Sequence, residues 1–173
     1  FKELDWDEKA GESDDDRERR TTALSLMMYS EDEEVLNEAK TRFDNNKLED
    51  LPTETRALII SANVRHFETP EMIENLFTAY KNTPSNDLQN DIAIGLTSTK
   101  NPKTAEKILA NIKDSNIIRP QDASRWFVYL IRTRESRQIA WNWLKENWAW
   151  VEEKFGDDKS YDDFIRYAAT ALL

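Results

Sequence analysis

Residues 135–155, ESRQIAWNWLKENWAWVEEKF, hold four of the six tryptophans in the chain, and their apolar positions follow a helical period. Apolar residues three or four positions apart form one face of a helix, and such a face must be buried. Trp141 and Trp150 lie off that face, which predicts contacts with neighbouring helices on two sides. We therefore expect stacked helices rather than a closed bundle, with a bend near Asn147. The apolar face consists of Ile139, Ala140, Trp143, Leu144, Trp148, Val151 and Phe155.

The aromatic residues of this region are predicted to be structural, because aromatic side chains bury large apolar areas. A cluster of tryptophans could instead stack on nucleic acid bases or on sugars. Nucleic acid binding usually requires a strongly basic surface, whereas this chain has 24 Lys and Arg against 34 Asp and Glu, a net charge of −10. We therefore predict no nucleic acid partner, and we assign to the structural core Trp126, Phe127, Trp143, Leu144, Trp148 and Phe155.

The composition indicates an all-α protein without a β-sheet. The 173 residues include only 3 glycines and 5 prolines, too few for the tight turns of a β protein, and each proline lies where a helix could begin. A charged fraction of 34% and a mean hydropathy of −0.79 indicate much exposed surface for the volume, as an elongated stack of helices would have.

Capping residues and prolines divide the chain into a series of predicted helices. Residues 1–12 are expected to form a linker with Trp6 as an anchor, and residues 13–173 a single domain. Helix pairs begin near residues 13, 52, 85 and 120, a period typical of two-helix repeats. We therefore predict a HEAT-like or armadillo-like α-solenoid of antiparallel helix pairs. The predicted helices begin near Ser13, Ser30, Pro52, Thr69, Ser85, Asn101, Arg119, Glu135 and Ser160, and the last carries Phe164, Ile165, Ala168 and Leu172.

The sequence contains no recognisable catalytic or metal-binding motif. His66 is the only histidine and there is no cysteine, which excludes a His-Glu-x-x-His helix and a thiolate zinc site. The acidic runs at residues 14–16 and 31–34 are explained as helix starts, where carboxylates suit the helix dipole. We expect no catalytic residue, metal ligand or cofactor within the chain. The absence of cysteine and of a long apolar run predicts a cytoplasmic protein with no membrane partner.

Charge is distributed unevenly along the chain. The first sixty residues are strongly acidic, whereas residues 101–156 carry a small excess of basic side chains, including five arginines between positions 119 and 137. These arginines could form a solvated face with ion pairs to neighbouring helices. Alternatively, they could bind carboxylates of a peptide terminus or of another domain. The candidate interface or substrate-facing residues are Arg119, Gln121, Asp122, Arg125 and Arg132.

Arg119 is the most unusual residue of that group. Pro120 suits the first position of a helix, so Arg119 would be the cap residue. An arginine is unexpected there, because its charge opposes the helix dipole and its side chain accepts no hydrogen bond. We therefore hypothesise that a carboxylate, most simply that of Asp122, holds Arg119 and fixes how successive helix pairs stack. The alternative is substrate contact in a larger enzyme.

Two sets of motifs resemble a known family. Residues 5–13, DWDEKAGES, followed by an arginine-rich helix and by DEEVLNEAKTRF at residues 32–43, resemble the start of the C-terminal helical domain of M1-family zinc aminopeptidases of the aminopeptidase N type. The second set, IRPQD at 118–122, IAWNWLKENW at 139–148 and KFG at 154–156, is similar to a later stretch of the same domain. Asn142 and residues 133–136 depart from the family pattern, which leaves the conformation of that loop open.

The resemblance implies a HEAT-like superhelix that lies over a catalytic domain and encloses its substrate chamber. It also implies that the zinc site belongs to upstream domains, so the partners would be a catalytic domain of the same chain and a peptide substrate. The first residue is not methionine, which suggests a fragment of a longer protein. A free-standing adaptor that binds a protein segment in its concave face is the alternative, because solenoids often have that role.

Overall fold

The computed structural model describes residues 5–171, and every regular element in that range is helical. The all-α prediction is thus confirmed for the described part of the chain, which has no β-strand. Short 3₁₀ helices at Leu48–Asp50 and Pro120–Asp122 accompany ten α-helices: α1 Asp14–Tyr29, α2 Glu33–Asn45, α3 Thr53–Phe67, α4 Pro70–Asn82, α5 Asn86–Thr97, α6 Pro102–Ile112, α7 Ala123–Arg132, α8 Arg137–Glu146, α9 Trp148–Phe155 and α10 Tyr161–Ala171. Leu172, expected on the last helix, lies outside the described residues, as do residues 1–4 of the expected linker.

Side-chain caps fix the start of several helices, as the sequence predicts. The hydroxyls of Ser13, Thr69 and Ser85 accept hydrogen bonds from backbone N–H groups in the first turns of α1, α4 and α5. The predicted cap at Ser30 is wrong. Its hydroxyl donates to the carbonyl of Met27 and ends α1, and the carboxylate of Asp32 caps α2 instead.

The tryptophan-rich stretch forms two helices, α8 and α9, rather than one. The break lies at Asn147, where a bend was expected, and the Nδ2 of Asn147 donates to the carbonyl of Trp143 at 2.8 Å. The apolar face is divided between the two helices, and its buried members are Ala140, Leu144, Val151 and Phe155. Trp143 and Trp148, which were expected to be buried, are only partly buried, although both pack against the hydrophobic core.

The helices stack in chain order as an α-solenoid. Short loops join α1 to α2, α3 to α4 and α5 to α6, while the first helices of successive pairs contact one another, α1 with α3, α3 with α5, and α5 with α7. The end of the stack is formed by α10, which packs on α7. Gly95 allows α5 to approach α3 closely, since a Cβ atom there would lie 2.2 Å from Cγ2 of Ile60. The predicted stack of helix pairs is confirmed.

Residues 5–12 pack against the first helices. Trp6 is 7% exposed, and the guanidinium of Arg42 lies 5.1 Å from its ring. Arg42 also donates two hydrogen bonds, of 2.7 and 2.9 Å, to the carboxylate of Asp7, and these bonds lower the pKa of Asp7. Glu12 forms an ion pair with the buried Arg20. The described part of the expected linker is thus attached to the domain by its side chains.

Candidate functional site

A polar cluster marks the turn that leads into α7. The Nε of Arg119 donates to Oδ2 of Asp122 at 2.7 Å, and the hydroxyl of Tyr80 donates to the same oxygen at 3.2 Å. Asp122 is buried, so both contacts lie in a poorly solvated site. The hydrogen bond to Asp122 raises the pKa of Arg119, and burial raises the pKa of Tyr80. The expected hold of Asp122 on Arg119 is confirmed.

The short 3₁₀ helix explains this geometry. The helix expected to start at Pro120 begins as a 3₁₀ turn, and the α-helical part starts only at Ala123. The N–H of Asp122 donates to the carbonyl of Arg119 at 2.9 Å, which is the i to i+3 bond of that turn. The tight turn places the two side chains side by side. Asp122 compensates the charge of Arg119 at a helix start, where a cation is otherwise unfavourable.

The cluster forms one wall of a pocket between α5 and α7. Across it, Nη1 of Arg119 donates to Oδ1 of Asn86 and Nη1 of Arg125 donates to Oδ1 of Asn90, both at 3.3 Å. The hydroxyl of Tyr129 donates to the same Asn90 oxygen at 3.2 Å. The pocket has a volume of about 280 Å³. Three of the five candidate residues, Arg119, Asp122 and Arg125, line it.

The other two candidates, Gln121 and Arg132, lie along a groove between α7 and α10. Both are exposed, and Arg125 also borders this groove, so it separates the groove from the pocket. The guanidinium of Arg132 lies 6.0 Å from the ring of Tyr167 on α10. The structure therefore places the five candidates along two cavities that share Arg125. Their role as an interface or as substrate contacts stays a prediction.

Below this surface lie the core residues of α7. Trp126 and Phe127 are both 0% exposed. The ring of Trp126 stacks on that of Phe77 with centroids 5.9 Å apart and meets the ring of Tyr80 edge-on at 5.1 Å. Of the residues assigned to the structural core, the structure also buries Leu144 and Phe155. The polar surface of α7 is thus supported by closely packed aromatic rings.

Within residues 5–171 no group of His, Cys, Asp and Glu side chains is arranged to bind a metal ion. None of the helices in this range combines the length and the apolar character that crossing a bilayer would need. His66 is partly buried at the end of α3, and burial is the main reason that its pKa is lowered.

The residues of α4 and α5 that complete the pocket were not predicted from the sequence. Asn86 and Asn90 lie 33 and 35 residues before the arginines that they contact, and Tyr80 lies 42 residues before Asp122. Two of these separations match the repeat period, so positions one repeat apart were the signal that could have identified the asparagines. Tyr80 offered no comparable signal, because it lies on the second helix of its pair.

Comparison with known proteins shows the family of the chain. Residues 1–172 match the family described as "ERAP1-like C-terminal domain". The chain belongs to this family. The resemblance to the C-terminal domain of M1 aminopeptidases is therefore confirmed.

The relatives of this ERAP1-like C-terminal domain include bacterial and eukaryotic aminopeptidases. Aminopeptidase N of Lactococcus lactis subsp. lactis is 29% identical over 171 residues, which are 98% of this chain and 20% of the relative. Aminopeptidase N of Lactobacillus helveticus is 29% identical over 168 residues, or 96% of this chain and 20% of the relative. Human glutamyl aminopeptidase is 25% identical over 138 residues, or 79% of this chain and 14% of the relative. The chain thus spans about a fifth of the length of its aminopeptidase N relatives.

Proposed function

We propose that the chain is the noncatalytic C-terminal domain of a zinc-dependent aminopeptidase of the aminopeptidase N type. In this proposal it covers an upstream catalytic domain, which holds the zinc, and shapes the access of peptides whose N-terminal residues are removed. The enzyme would be cytoplasmic and its substrate a peptide. The observation that carries the proposal is the match of residues 1–172 to a single C-terminal domain family, combined with alignment to only a fifth of aminopeptidase N.

We infer that the domain uses its HEAT-like stack to present the surface of α7 towards the substrate chamber. Gln121, Arg125 and Arg132 are exposed there on the basic segment of an otherwise acidic protein. Arginine side chains can donate paired hydrogen bonds to carboxylates and carbonyl groups of a peptide. The rigid aromatic layer below α7 supports the proposal, because a binding surface is most effective when its backbone is held in place.

Arg119 requires a separate assignment. Its Nε donates to Asp122 and its Nη1 reaches Asn86 on α5, so it joins two successive helix pairs. We therefore propose that Arg119 and Asp122 are mainly structural, while Gln121 and Arg132 contact the substrate or the catalytic domain.

The test is kinetic and uses the full-length enzyme with Gln121→Ala and Arg132→Ala combined. We expect KM for peptides of several residues to rise roughly three- to tenfold, because about 1 kcal/mol of hydrogen bonding to the substrate is lost. KM for an aminoacyl anilide, which is too short to reach this surface, should stay unchanged. Arg134→Ala is the matched control, since Arg134 is exposed just beyond α7 but lines neither the pocket nor the groove.

Two results would contradict the proposal. The first is an equal change of KM for the anilide and the longer peptides, and the second is an effect of Arg134→Ala as large as that of the double variant. Arg119→Ala is expected to lower the melting temperature while leaving kcat/KM unchanged. A raised KM at unchanged stability would instead assign Arg119 to substrate contact.

A further inference from the structure

The contacts between successive first helices of the stack follow a repeating chemical pattern. Between α1 and α3, Nη1 of Arg20 lies 3.8 Å from Oε2 of Glu54. Between α3 and α5, Nε of Arg56 lies 2.6 Å from Oδ2 of Asp91. Both arginines are almost completely buried. At each of these two interfaces a buried arginine thus faces a carboxylate of the next helix in the stack, although the closer partner of Arg20 is Glu12.

The third interface, between α5 and α7, departs from this pattern. Here the arginine lies on the later of the two helices: Arg125 of α7 reaches back to α5, and its acceptor is the neutral amide oxygen of Asn90 at 3.3 Å. Arg119 likewise meets the amide of Asn86 at 3.3 Å. Among residues 5–171, Arg125 forms no ion pair. The neighbouring Asp91 is engaged by Arg56, and among the described residues no ion pair joins α5 to α7.

The unbalanced charge lies in a pocket rather than on a flat surface. The pocket of about 280 Å³ is lined by two arginines and one carboxylate, that of Asp122, which is engaged by Arg119 and Tyr80. The lining therefore has an excess of one positive charge. Because the Oδ1 atoms of Asn86 and Asn90 accept from the arginines, their Nδ2 groups are left as donors for another group. A small anionic acceptor matches this set of donors.

We propose that the pocket between α5 and α7 binds a carboxylate group, which supplies the negative charge that this interface lacks. The carboxylate accepts hydrogen bonds from Arg125, and Asn86 and Asn90 donate to it from α5. Its source is either a free organic acid or the end of a peptide chain, and the chemistry of recognition is the same for both. This assignment is independent of the proposed enzymatic role, because the 173-residue chain contains every residue that it uses.

The test is a titration of the isotopically labelled 173-residue chain, at constant ionic strength, followed by ¹H–¹⁵N NMR. Acetate represents a free acid, N-acetylglycine represents a peptide end, and N-acetylglycinamide lacks the charge. We expect saturable shifts of the Asn86 and Asn90 side-chain amides with both carboxylates and no saturable shift with the amide. Tighter binding of N-acetylglycine identifies the peptide end as the source, and equal binding identifies the carboxylate alone.

Two variants make the titration specific. Arg125→Gln is expected to weaken acetate binding about tenfold or more, since one charge-assisted hydrogen bond is lost. Asn90→Asp supplies the missing carboxylate within the chain, so it should abolish acetate binding while the remaining spectrum stays that of the folded protein. Arg134→Gln removes an arginine outside the pocket and should bind acetate like the parent chain.

Several outcomes would overturn the proposal. These are the absence of saturable shifts well above millimolar acetate, full binding by Asn90→Asp, or an equal loss with Arg134→Gln. Inorganic phosphate that binds more tightly than both carboxylates would also overturn it, because the pocket would then recognise phosphate in preference to a carboxylate.

Discussion

Trp126→Ala in the 173-residue chain should cause one of the largest losses of stability that a single substitution can produce here. The side chain is 0% exposed and contacts the rings of Phe77 and Tyr80, so it joins α7 to α4 of the α3–α4 pair. A buried tryptophan removes about 150–250 Å² from water, which corresponds to about 4–6 kcal/mol at 25 cal/mol per Å². Alanine keeps part of this area, so we expect a loss of about 4 kcal/mol, within the usual range for such substitutions.

The assay is urea unfolding followed by circular dichroism, with the free energy of unfolding taken from the midpoint and the slope. Trp141→Ala is the matched control, because Trp141 is only partly buried and lies near Lys145, 5.6 Å from its ring centroid. We expect the control to lose about 1 kcal/mol or less. If Trp126→Ala and Trp141→Ala lost the same free energy, Trp126 would not be the central support of α7.

Two further substitutions test the packing and the charge contacts of the stack. Gly95→Ala should lower the free energy of unfolding by about 1–3 kcal/mol, because its Cβ would overlap Ile60. Ile60→Ala should then cost less stability in the Gly95→Ala variant than in the parent chain, because it removes the overlap. Additive losses of the two substitutions would contradict this. The hydrogen bond from Arg65 lowers the pKa of Glu135, so its stabilising effect is present above the unfolded pKa of about 4.3 and is lost as pH falls through the lower folded pKa. The difference in urea midpoint between the parent and Glu135→Gln should therefore shrink from pH 6 towards acid, whereas a constant difference would contradict the contact.

The fold was predictable from the sequence where local chemistry determines it. A hydroxyl such as that of Ser13 can cap a helix whatever packs around it, and proline at position 70 or 102 fits only a helix start. The expected cap of the second helix at Ser30 is wrong, because its hydroxyl donates to the carbonyl of Met27 in the preceding helix instead. The partial burial of Trp143 could not be predicted either, because it depends on the direction that the chain takes after Asn147.

The candidate site was predictable only on one of its two walls. The arginines and Asp122 stand out in sequence, because a cation at a helix start requires a partner. Asn86 and Asn90 do not stand out in the sequence, since asparagine is common on exposed helix faces. Their contacts with the arginines depend on how the helix pairs stack. Comparing positions one repeat apart would have revealed them, because Arg56 and Asp91 show the same separation as Arg125 and Asn90.

The central claim is that the α7 surface faces an enclosed substrate chamber in the complete enzyme, and single-cysteine labelling tests it most directly. The chain has no cysteine, so Arg132→Cys introduces a single thiol in this domain at an exposed position, and Glu106→Cys on α6 is the control. We expect a maleimide to label position 132 at least about tenfold more slowly in the full-length enzyme than in the 173-residue chain, because the catalytic domain would restrict access of the reagent to the chamber, with position 106 labelled equally in both. Equal labelling of position 132 in the two proteins would contradict the account.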